Sequence, residues 1–580
     1  MYVDKDIEEA MGGRGKVDVP DWARDAIWYQ VFPERFRNGT RRNDPKLKHI
    51  TSRKIPGWKT SSWGQDWYCQ EPWEARLGGF FESVYYRRYG GDLVGLREKL
   101  DYLQDLGINA IYLNPVFLAP SLHKYDATCL HHIDPTLGPD RDGDFRAIAR
   151  ARETENPRTW IWTRADQYFL DLVGDIHRRG MRVILDGVFN HAGRAFFGFQ
   201  DLLAKGKKSR YARWFKIKKW NRDGTFEYDG WFGHKQLPEF ARTESDLAAP
   251  VRKYVFDITK RWMAPRGEVS QGIDGWRLDV AFCVPHAFWR AWRKHVKGIN
   301  PEAYLTAEIV GRADDYVRGD EFDAVMNYMW LYPTVGFFSP GPSAISASTC
   351  KRRLNELLKA YPRDANAVMQ NLLDSHDVGR IATMLENPLL PISTFDEYFN
   401  STRVRHNTDL VTTRPGPAAW KALRQAIVFQ MTYLGAPMIY YGTEAGMWGA
   451  NDPCDRQPML WDDTRYEVET TTFQNACRPI ARKADISLLA FFRHAIALRN
   501  KQVLLRRGGL RWIATGNERL LGFARHNSHS EIIVLLNGSD HPATYNLKTA
   551  ARDLWNGGRL VRRGPVKIDP RGWRILASGD

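Results

Sequence analysis

Apolar, β-branched runs alternate with helical patterns over most of the 580 residues. Several of these runs are continuously apolar, as expected of strands that are covered on both faces, and they predict a parallel sheet enclosed by helices. The predicted strands are residues 110–113, 182–185, 273–278, 368–373 and 437–441. Amphipathic stretches predict the intervening helices at residues 93–106, 165–179, 251–262, 287–296 and 420–434. Strand–helix units of this length predict an α/β barrel or a doubly wound sheet.

Two segments interrupt the strand–helix alternation. Residues from about 190 to 247 are rich in aromatic side chains and glycine, and we interpret them as an excursion between a strand and its helix. After about residue 501, short strand-like runs at 520–524 and 532–536 are separated by turn residues, which predicts a small antiparallel β domain. A chain of this length is expected to form two or three domains.

Composition narrows the class of protein. Hydrophobic residues make up 43% and charged residues 26%, as in a soluble globular protein. No apolar run reaches the length of about 18 residues that a membrane span needs. The first twenty residues are charged and lack the apolar core of a secretory signal, so we expect a cytoplasmic enzyme. The six cysteines lack C-x-x-C spacing, which argues against a disulfide framework and a zinc site.

The net charge of +16 raises the question of a nucleic-acid partner. The 84 lysines and arginines are spread along the chain, which is typical of a solvated surface, so no nucleic-acid partner is expected. The 22 tryptophans are more informative. Flat aromatic faces suit the C–H faces of sugar rings, although most tryptophans serve packing.

Polar residues stand at the ends of four predicted strands. The four stretches are DGVFNH at 186–191, GWRLD at 275–279, AE at 307–308 and LDSHD at 373–377. Residues at the C-terminal ends of barrel strands face a shared pocket. Arg277 and Asp279 are two positions apart, so on a strand they face the same side. The guanidinium can there hold the carboxylate ionised and oriented, as a nucleophile requires.

Three carboxylates in these stretches, Asp279, Glu308 and Asp377, are candidates for catalysis. Cleavage of a glycosidic bond with retention needs two carboxyl groups about 5–5.5 Å apart. The spacing of the residues does not assign the roles, and a lone aspartate is more often part of a salt bridge or a helix cap. Four strand ends that carry such groups together favour an active site.

The four stretches resemble signature regions I to IV of the α-amylase family (glycoside hydrolase family 13), in the family's order. The resemblance extends from about Ile27 to Asp462. It implies a (β/α)8 TIM barrel at residues 25–500 after an N-terminal tail at 1–24. It also implies an inserted domain B at about 190–247 and a C-terminal antiparallel β-sandwich domain at 501–580.

The resemblance also implies the roles of individual residues. Asp279 would be the nucleophile, Glu308 the general acid/base and Asp377 the carboxylate that stabilises the transition state. The side chains implied to contact the sugar in the cleavage subsite are His191, Arg277, His376 and, in the segment after the second strand, His123 and Tyr125.

Two further segments resemble the neopullulanase and cyclomaltodextrinase group. Residues 231–240 are similar to its marker segment near the end of domain B, and residues 435–453 to its eighth-strand region. In this group Asp452 and Arg456 would contact the second sugar on the non-reducing side. The alternative for these two residues is an ion pair that stabilises a loop.

The chain also departs from this group. Its members usually carry an N-terminal β domain that builds a dimer, whereas the barrel here is predicted to start by Ile27, so the oligomeric state is open. Phe282 and Cys283 replace the usual Asn-Glu after the nucleophile, and Val310 and Gly311 replace Trp-His after the acid. We therefore expect altered leaving-group subsites, and the linkage preference does not carry over.

The resemblance implies one metal site, a structural calcium ion, while no cofactor is needed for the chemistry. Its ligands would be Asn38, Asn43, Asp44, Gly90 and Asp92, with Thr40 where an aspartate is expected. An aromatic insert at 58–89 either packs on the rim of the barrel, which we prefer, or roofs the cleft.

The expected activity is hydrolysis of α-1,4-glucosidic bonds in short α-glucans, namely maltooligosaccharides, cyclodextrins, pullulan or starch, with retained configuration. A glucanotransferase of the same family is the first alternative. A non-catalytic carbohydrate-binding barrel is the second, although such relatives lack the carboxylates that are present here.

Overall fold

A computed structural model describes residues 17–387, 394–473 and 476–578. Eight parallel strands pair around a barrel. The last strand along the chain lies between the first and the seventh, and a parallel bridge from Met326 to Gln370 joins the sixth strand to the seventh. The predicted (β/α)8 TIM barrel is therefore confirmed. The strands are β1 Trp28–Val31, β2 Ala110–Leu113, β3 Arg182–Gly187, β4 Gly275–Leu278, β5 Tyr304–Ala307, β6 Ala324–Val325, β7 Gln370–Leu372 and β8 Ala436–Tyr440.

Burial explains why the barrel strands were visible in the sequence. Every residue of β1, β2, β4 and β5 is buried, because the strands face side chains in the barrel interior on one side and helices on the other. The strand at 110–113 has the predicted ends, and the ends of the other predicted strands differ from the observed ones by no more than two residues. Strand β6 was not predicted, since two residues are too short to form a pattern.

Helices cover the outside of the barrel. All five predicted helices are present, although the first is divided in two at Lys99. Thr163 begins the helix after β2 with a capping box that it forms with Asp166. The helices of the barrel wall are Leu93–Glu98, Leu100–Leu106, Arg164–Arg178, Ala249–Met263, His286–Ile299, Tyr328–Phe338, Ala347–Ala360, Pro417–Thr432 and Ile486–Lys501. Shorter helices are Pro33–Phe36, Pro72–Ala75, Phe80–Ser83, Arg141–Ala151, Arg363–Val368, Ile381–Glu386, Phe395–Thr402 and Val503–Arg507.

Two excursions extend from the barrel rim. Between β3 and its helix, the chain forms the helix Phe197–Lys205 and an antiparallel pair of strands, Ile217–Trp220 and Phe226–Tyr228. In the aromatic insert at 58–89, Trp67 and Trp73 are 1% and 2% exposed, so their packing role is confirmed. Among the described residues, no helix combines the length and apolar character that crossing a membrane requires.

Antiparallel strands follow the barrel, as predicted. A six-stranded sheet packs on a two-stranded sheet, and apolar side chains of both, such as Leu535 and Ile568, share one cluster. The larger sheet contains Gly509–Trp512, Leu520–His526, Glu531–Asn537, Ala551–Asp553, Arg559–Val561 and Trp573–Ser578. The smaller sheet contains Ala543–Leu547 and Gly564–Ile568, and a separate pair, Glu469–Thr471 with Ala476–Ile480, lies near the barrel rim.

A buried arginine joins this β domain to the barrel. Arg525 is fully buried, and its guanidinium donates hydrogen bonds to the carbonyl groups of Thr432 and Tyr433, at the end of a barrel helix. It also donates to the carbonyl of Gly508 at 2.7 Å. Burial lowers the pKa of Arg525 to about 9. The cation thus replaces the hydration of the carbonyl groups on both sides of the junction.

We expect Arg525→Leu to destabilise the protein by about 3 kcal/mol, because several buried carbonyl groups lose their donor. Calorimetry should show an unfolding midpoint lowered by roughly 2–3 °C. Arg511→Leu is the control, since Arg511 forms a partly exposed pair with Glu531 on the same sheet. Equal losses for both variants would contradict a special role for Arg525.

Candidate active site

One guanidinium brings together carboxylates from three neighbouring barrel strands. Arg277 on β4 is fully buried, and its Nη1 lies 3.0 Å from Asp279 Oδ1 and 2.8 Å from Asp186 Oδ1. Its Nη2 lies 3.0 Å from Glu308 Oε2. Arg277 and Asp279 face the same side, as their spacing predicted. Two of the three predicted catalytic carboxylates therefore share one cation.

The residue after Asp279 has an unusual backbone conformation. Val280 has φ 37° and ψ 48°, in the left-handed region that β-branched residues rarely adopt. In this conformation its N–H donates a hydrogen bond of 2.8 Å to Glu308 Oε2. The local strain is thus used to aim a backbone donor at the candidate acid/base.

Burial and mutual repulsion favour a proton on this pair of carboxyl groups. Burial raises the pKa of Asp279 well above its usual range, and the charge of Glu308 raises it further. The Arg277 guanidinium acts in the opposite direction but is shared with Asp186. The pair formed by Asp279 and Glu308 therefore tends to hold one proton.

His376 is held in one neutral tautomer. Gln30 Nε2 donates to His376 Nδ1 at 2.8 Å, so the ring proton is on Nε2. Burial, with the Arg456 and Arg277 cations nearby, lowers the pKa of His376 well below its usual range. His376 Nε2 lies 2.5 Å from the hydroxyl of Tyr125, whose ring stacks on the imidazole with centroids 5.6 Å apart. This arrangement presents an N–H donor beside an aromatic face.

Asp377, the third predicted carboxylate, lies beside this histidine. Its Oδ2 is 3.2 Å from His376 Nε2, and its Oδ1 is 3.3 Å from Arg456 Nη2. Burial and the charge of Glu308 raise the pKa of Asp377 to about 7, although Arg456 and Arg277 act in the opposite direction. Glu308 is thus electrostatically coupled to both aspartates, so all three candidate carboxylates belong to one site.

Arg456 connects Asp377 to the more distant predicted contact, Asp452. Arg456 Nη1 lies 3.0 Å from Asp452 Oδ1, and Nε donates to the His376 carbonyl at 2.8 Å. The ion pair considered as an alternative for these residues therefore exists. It adjoins the catalytic carboxylates, so an ion pair and a sugar contact are compatible.

The remaining predicted sugar contacts are His191 and His123. Asn190 Nδ2 lies 3.0 Å from His191 Nδ1, and Trp231 stacks on the His191 ring with centroids 5.5 Å apart. Within the described residues, His191 Nε2 is buried without a hydrogen-bond partner, as expected of a group that binds a ligand. His123 stacks on Tyr125 with centroids 5.8 Å apart, so it belongs to the same aromatic group.

Several functional side chains were missed in the sequence. Tyr112 donates a hydrogen bond of 2.6 Å to Asp186 Oδ2, and Asn114 Nδ2 donates to the Tyr125 hydroxyl at 3.0 Å. With Gln30, these residues come from β1 and from the end of β2. Their position on or directly after a buried strand could have indicated a role in the site. They were passed over because none of the three side chains is charged.

Part of the predicted calcium site is assembled. Asn38 Nδ2 lies 2.7 Å from Asp44 Oδ1 and 3.2 Å from the Tyr89 carbonyl. Gly90 has φ 75°, and a Cβ at this position would lie 2.3 Å from Asp44 Oδ1. Only a glycine therefore fits beside this group of oxygen atoms.

The other two predicted calcium ligands are engaged elsewhere. Asp92 caps the helix Leu93–Glu98 by accepting a hydrogen bond from Gly95 N. Asn43 Oδ1 accepts a hydrogen bond from the Arg141 backbone at 2.5 Å. Calcium takes six to eight oxygen ligands. Calcium binding by Asn38, Asn43, Asp44, Gly90 and Asp92 stays a prediction.

Comparisons with known proteins agree with this geometry. A family model described as the α-amylase catalytic domain matches residues 30–155 and 165–391. The chain belongs to the α-amylase family. It is 35% identical over 531 residues to neopullulanase 2 of Thermoactinomyces vulgaris, and this alignment covers 91% of this chain and 72% of that protein. It is 33% identical over 569 residues to the intracellular maltogenic amylase of Bacillus subtilis (strain 168), covering 97% and 77% respectively.

A solved structure supports the same assignment to the α-amylase family. The cyclic α-maltosyl-(1→6)-maltose hydrolase from Arthrobacter globiformis superposes with a TM-score of 0.70 at 27% identity. The match covers 97% of this chain and all of that chain. The barrel and the β domain that follows it are thus shared with an α-amylase-family hydrolase.

In this α-amylase-family site, we expect Asp377→Asn to stabilise the fold at high pH. Because the pKa of Asp377 is raised to about 7, the wild type loses stability as pH rises from about 4 to 7, where a buried charge forms. The unfolding midpoint of the variant should exceed that of the wild type by roughly 5 °C at pH 8.

At pH 4 the two midpoints should nearly coincide, because Asp377 is then protonated. Asp409→Asn, at an exposed position, provides the control and should show no such trend. A stabilisation of Asp377→Asn that did not change with pH would contradict the raised pKa.

Proposed function

We propose that this chain is a retaining hydrolase of α-1,4-glucosidic bonds in short α-glucans. The observation that carries the proposal is that Arg277 binds Asp279 and Glu308 at once, from the ends of adjacent strands. Retention requires two carboxyl groups on one sugar, about 5–5.5 Å apart. A single guanidinium between them is compatible with that separation.

In the proposed first step, Asp279 attacks the anomeric carbon and forms an ester bond. The glycosidic C–O bond breaks, and the leaving oxygen receives a proton from Glu308. Of the two carboxyl groups, Asp279 directly follows β4 and accepts a hydrogen bond from Arg277, which positions it for attack. The proposed step requires Glu308 to hold the proton of the pair and Asp279 to be ionised at the moment of attack.

In the second step, Glu308 takes a proton from water, and the water oxygen attacks the anomeric carbon. The ester bond breaks, Asp279 leaves as a carboxylate, and Glu308 is again protonated. Each step inverts the anomeric centre, so the product keeps the configuration of the substrate.

The surrounding side chains would hold the sugar. His376 and His191 are neutral, because burial lowers the pKa of each, and their Nε2–H groups are donors for hydroxyl groups. The ring of Tyr125 offers a flat face for stacking. Asp377 offers acceptor oxygens for the hydroxyl groups of a distorted sugar. These hydrogen bonds would strengthen as positive charge develops on the sugar.

Relatives support the substrate class. Neopullulanase 2 and the maltogenic amylase are named for action on pullulan and for maltose formation, and both align over more than nine tenths of this chain. Maltooligosaccharides, cyclodextrins and pullulan are therefore the proposed substrates. A cytoplasmic location is part of the proposal and agrees with the name of the intracellular relative.

Replacement of the nucleophile tests the mechanism. We expect Asp279→Asn to lower kcat on maltohexaose by a factor of roughly 10⁵, because an amide does not attack. Asp274→Asn, at the opposite end of the same strand, should keep kcat within about twofold per folded molecule. NMR of the first wild-type product should show the α anomer. Near-normal turnover by Asp279→Asn, or a β anomer, would refute the mechanism.

Product analysis separates hydrolysis from transfer. With maltotriose, a hydrolase should release glucose and maltose from the start, because water reaches the glycosyl ester. Longer oligomers that appear before net glucose would favour the glucanotransferase. Panose from pullulan, measured beside starch and β-cyclodextrin, would support the specificity of a neopullulanase.

A further inference from the structure

Two adjacent histidines and a glutamate converge outside the catalytic site. His132 Nε2 lies 2.8 Å and His131 Nε2 lies 3.6 Å from the same oxygen, Glu153 Oε2. These three atoms all lie within 4.8 Å of one another. Their side chains are 0%, 4% and 8% exposed, respectively. Neither the proposed mechanism nor the sugar contacts use this cluster.

Contacts at the Nδ1 atoms orient both imidazole rings. His132 Nδ1 lies 2.8 Å from Asp166 Oδ2, and His131 Nδ1 lies 2.9 Å from the Tyr254 hydroxyl. An Nδ1–H that donates to these groups leaves the Nε2 lone pair of each ring directed at the cluster. Carboxylates and other acceptors behind histidine ligands have this effect in metal sites. Trp160 also stacks on His131, with centroids 4.7 Å apart.

We propose that His131, His132 and Glu153 bind a divalent transition-metal ion, of which zinc fits best. Two imidazole nitrogens and one carboxylate oxygen are a ligand set that zinc takes, with water as the fourth ligand. Bonds of about 2.0–2.2 Å place tetrahedral ligand atoms roughly 3.4 Å apart. The observed separations of 2.8 and 3.6 Å lie on either side of that value. The two Nε2 atoms lie no more than 4.8 Å apart, so binding would need the imidazole rings to turn toward a common centre.

Charge favours a cation at this point. Among the described residues, Glu153 forms ion pairs only with the two histidines, so no lysine or arginine balances its buried carboxylate directly. Asp166 differs, because Arg261 Nη2 lies 3.2 Å from its Oδ2. The competing explanation is a proton on His132 that bridges Glu153 and Asp166. In that explanation the Tyr254 hydroxyl donates to His131 Nδ1 and His131 Nε2–H donates to Glu153, so metal titration separates the two readings.

The metal would connect two segments of the chain. The histidines follow the segment that carries His123 and Tyr125, and Glu153 follows the helix Arg141–Ala151. Binding would therefore fix the loop on which these active-site residues lie. The cysteine spacing argued against a zinc site, and this site uses no cysteine.

Metal binding by the full chain tests the proposal. After treatment with a chelator, zinc titration by calorimetry should show one tight site per chain, and cobalt should give the visible d–d absorption of a four-coordinate site. Glu153→Gln should weaken zinc binding at least tenfold and abolish the cobalt band, while its amide oxygen can still accept the Ile161 N–H. His295→Gln, on the helix His286–Ile299, is the matched control and should bind as the wild type does.

Three outcomes would overturn the proposal. The first is wild-type protein that neither binds zinc nor shows a cobalt band. The second is equal zinc affinity in the wild type and Glu153→Gln. The third is a zinc site that His295→Gln removes and His131→Gln leaves intact. The bridging proton is established instead if the wild type binds no zinc and loses stability near pH 8, while a His132→Gln variant shows no such loss.

Discussion

The active site depends on the burial of a single positive charge. Arg277 is fully buried at the centre of the barrel, and a cation in that position is stable only with carboxylates against it. Asp186, Asp279 and Glu308 meet this requirement, and without the guanidinium their mutual repulsion would drive them apart or neutralise them. The positions of the proposed nucleophile and acid/base are therefore consequences of one electrostatic constraint.

Hydrogen bonds extend this constraint to the side chains proposed to bind the sugar. Asp186 accepts from the Tyr125 hydroxyl at 2.9 Å, Tyr125 contacts His376, and His376 accepts from Gln30 on β1. Arg456 then joins the backbone of His376 to Asp452. A displacement of Arg277 would thus reach the groups that orient the substrate, and not only those that react with it. Such networks are worth more than the sum of their pairs.

The barrel and its charged residues could be predicted from the sequence, but not the neutral groups that orient them. Continuous apolar runs revealed five strands, whereas the two residues of β6 carry no pattern. The spacing of Arg277 and Asp279 predicted their common face, because strand alternation is local. The contacts of Gln30 with His376 join β1 to the end of β7, and Asp92 caps a helix as well as standing among the predicted calcium ligands. These outcomes depend on tertiary distances that no local pattern contains.

Retention requires one ionised and one protonated carboxyl group at the same moment, and the geometry around Arg277 favours this state over its neighbours. Full ionisation would place two like charges against one guanidinium that Asp186 already shares, which raises the pKa of Asp279. Full protonation would leave Arg277 with Asp186 alone and lose two charge-assisted contacts. The half-protonated pair avoids both costs. A bound glucan would exclude water and strengthen the attraction between Arg277 and the ionised carboxylate of the pair, which the proposed reaction requires to be Asp279.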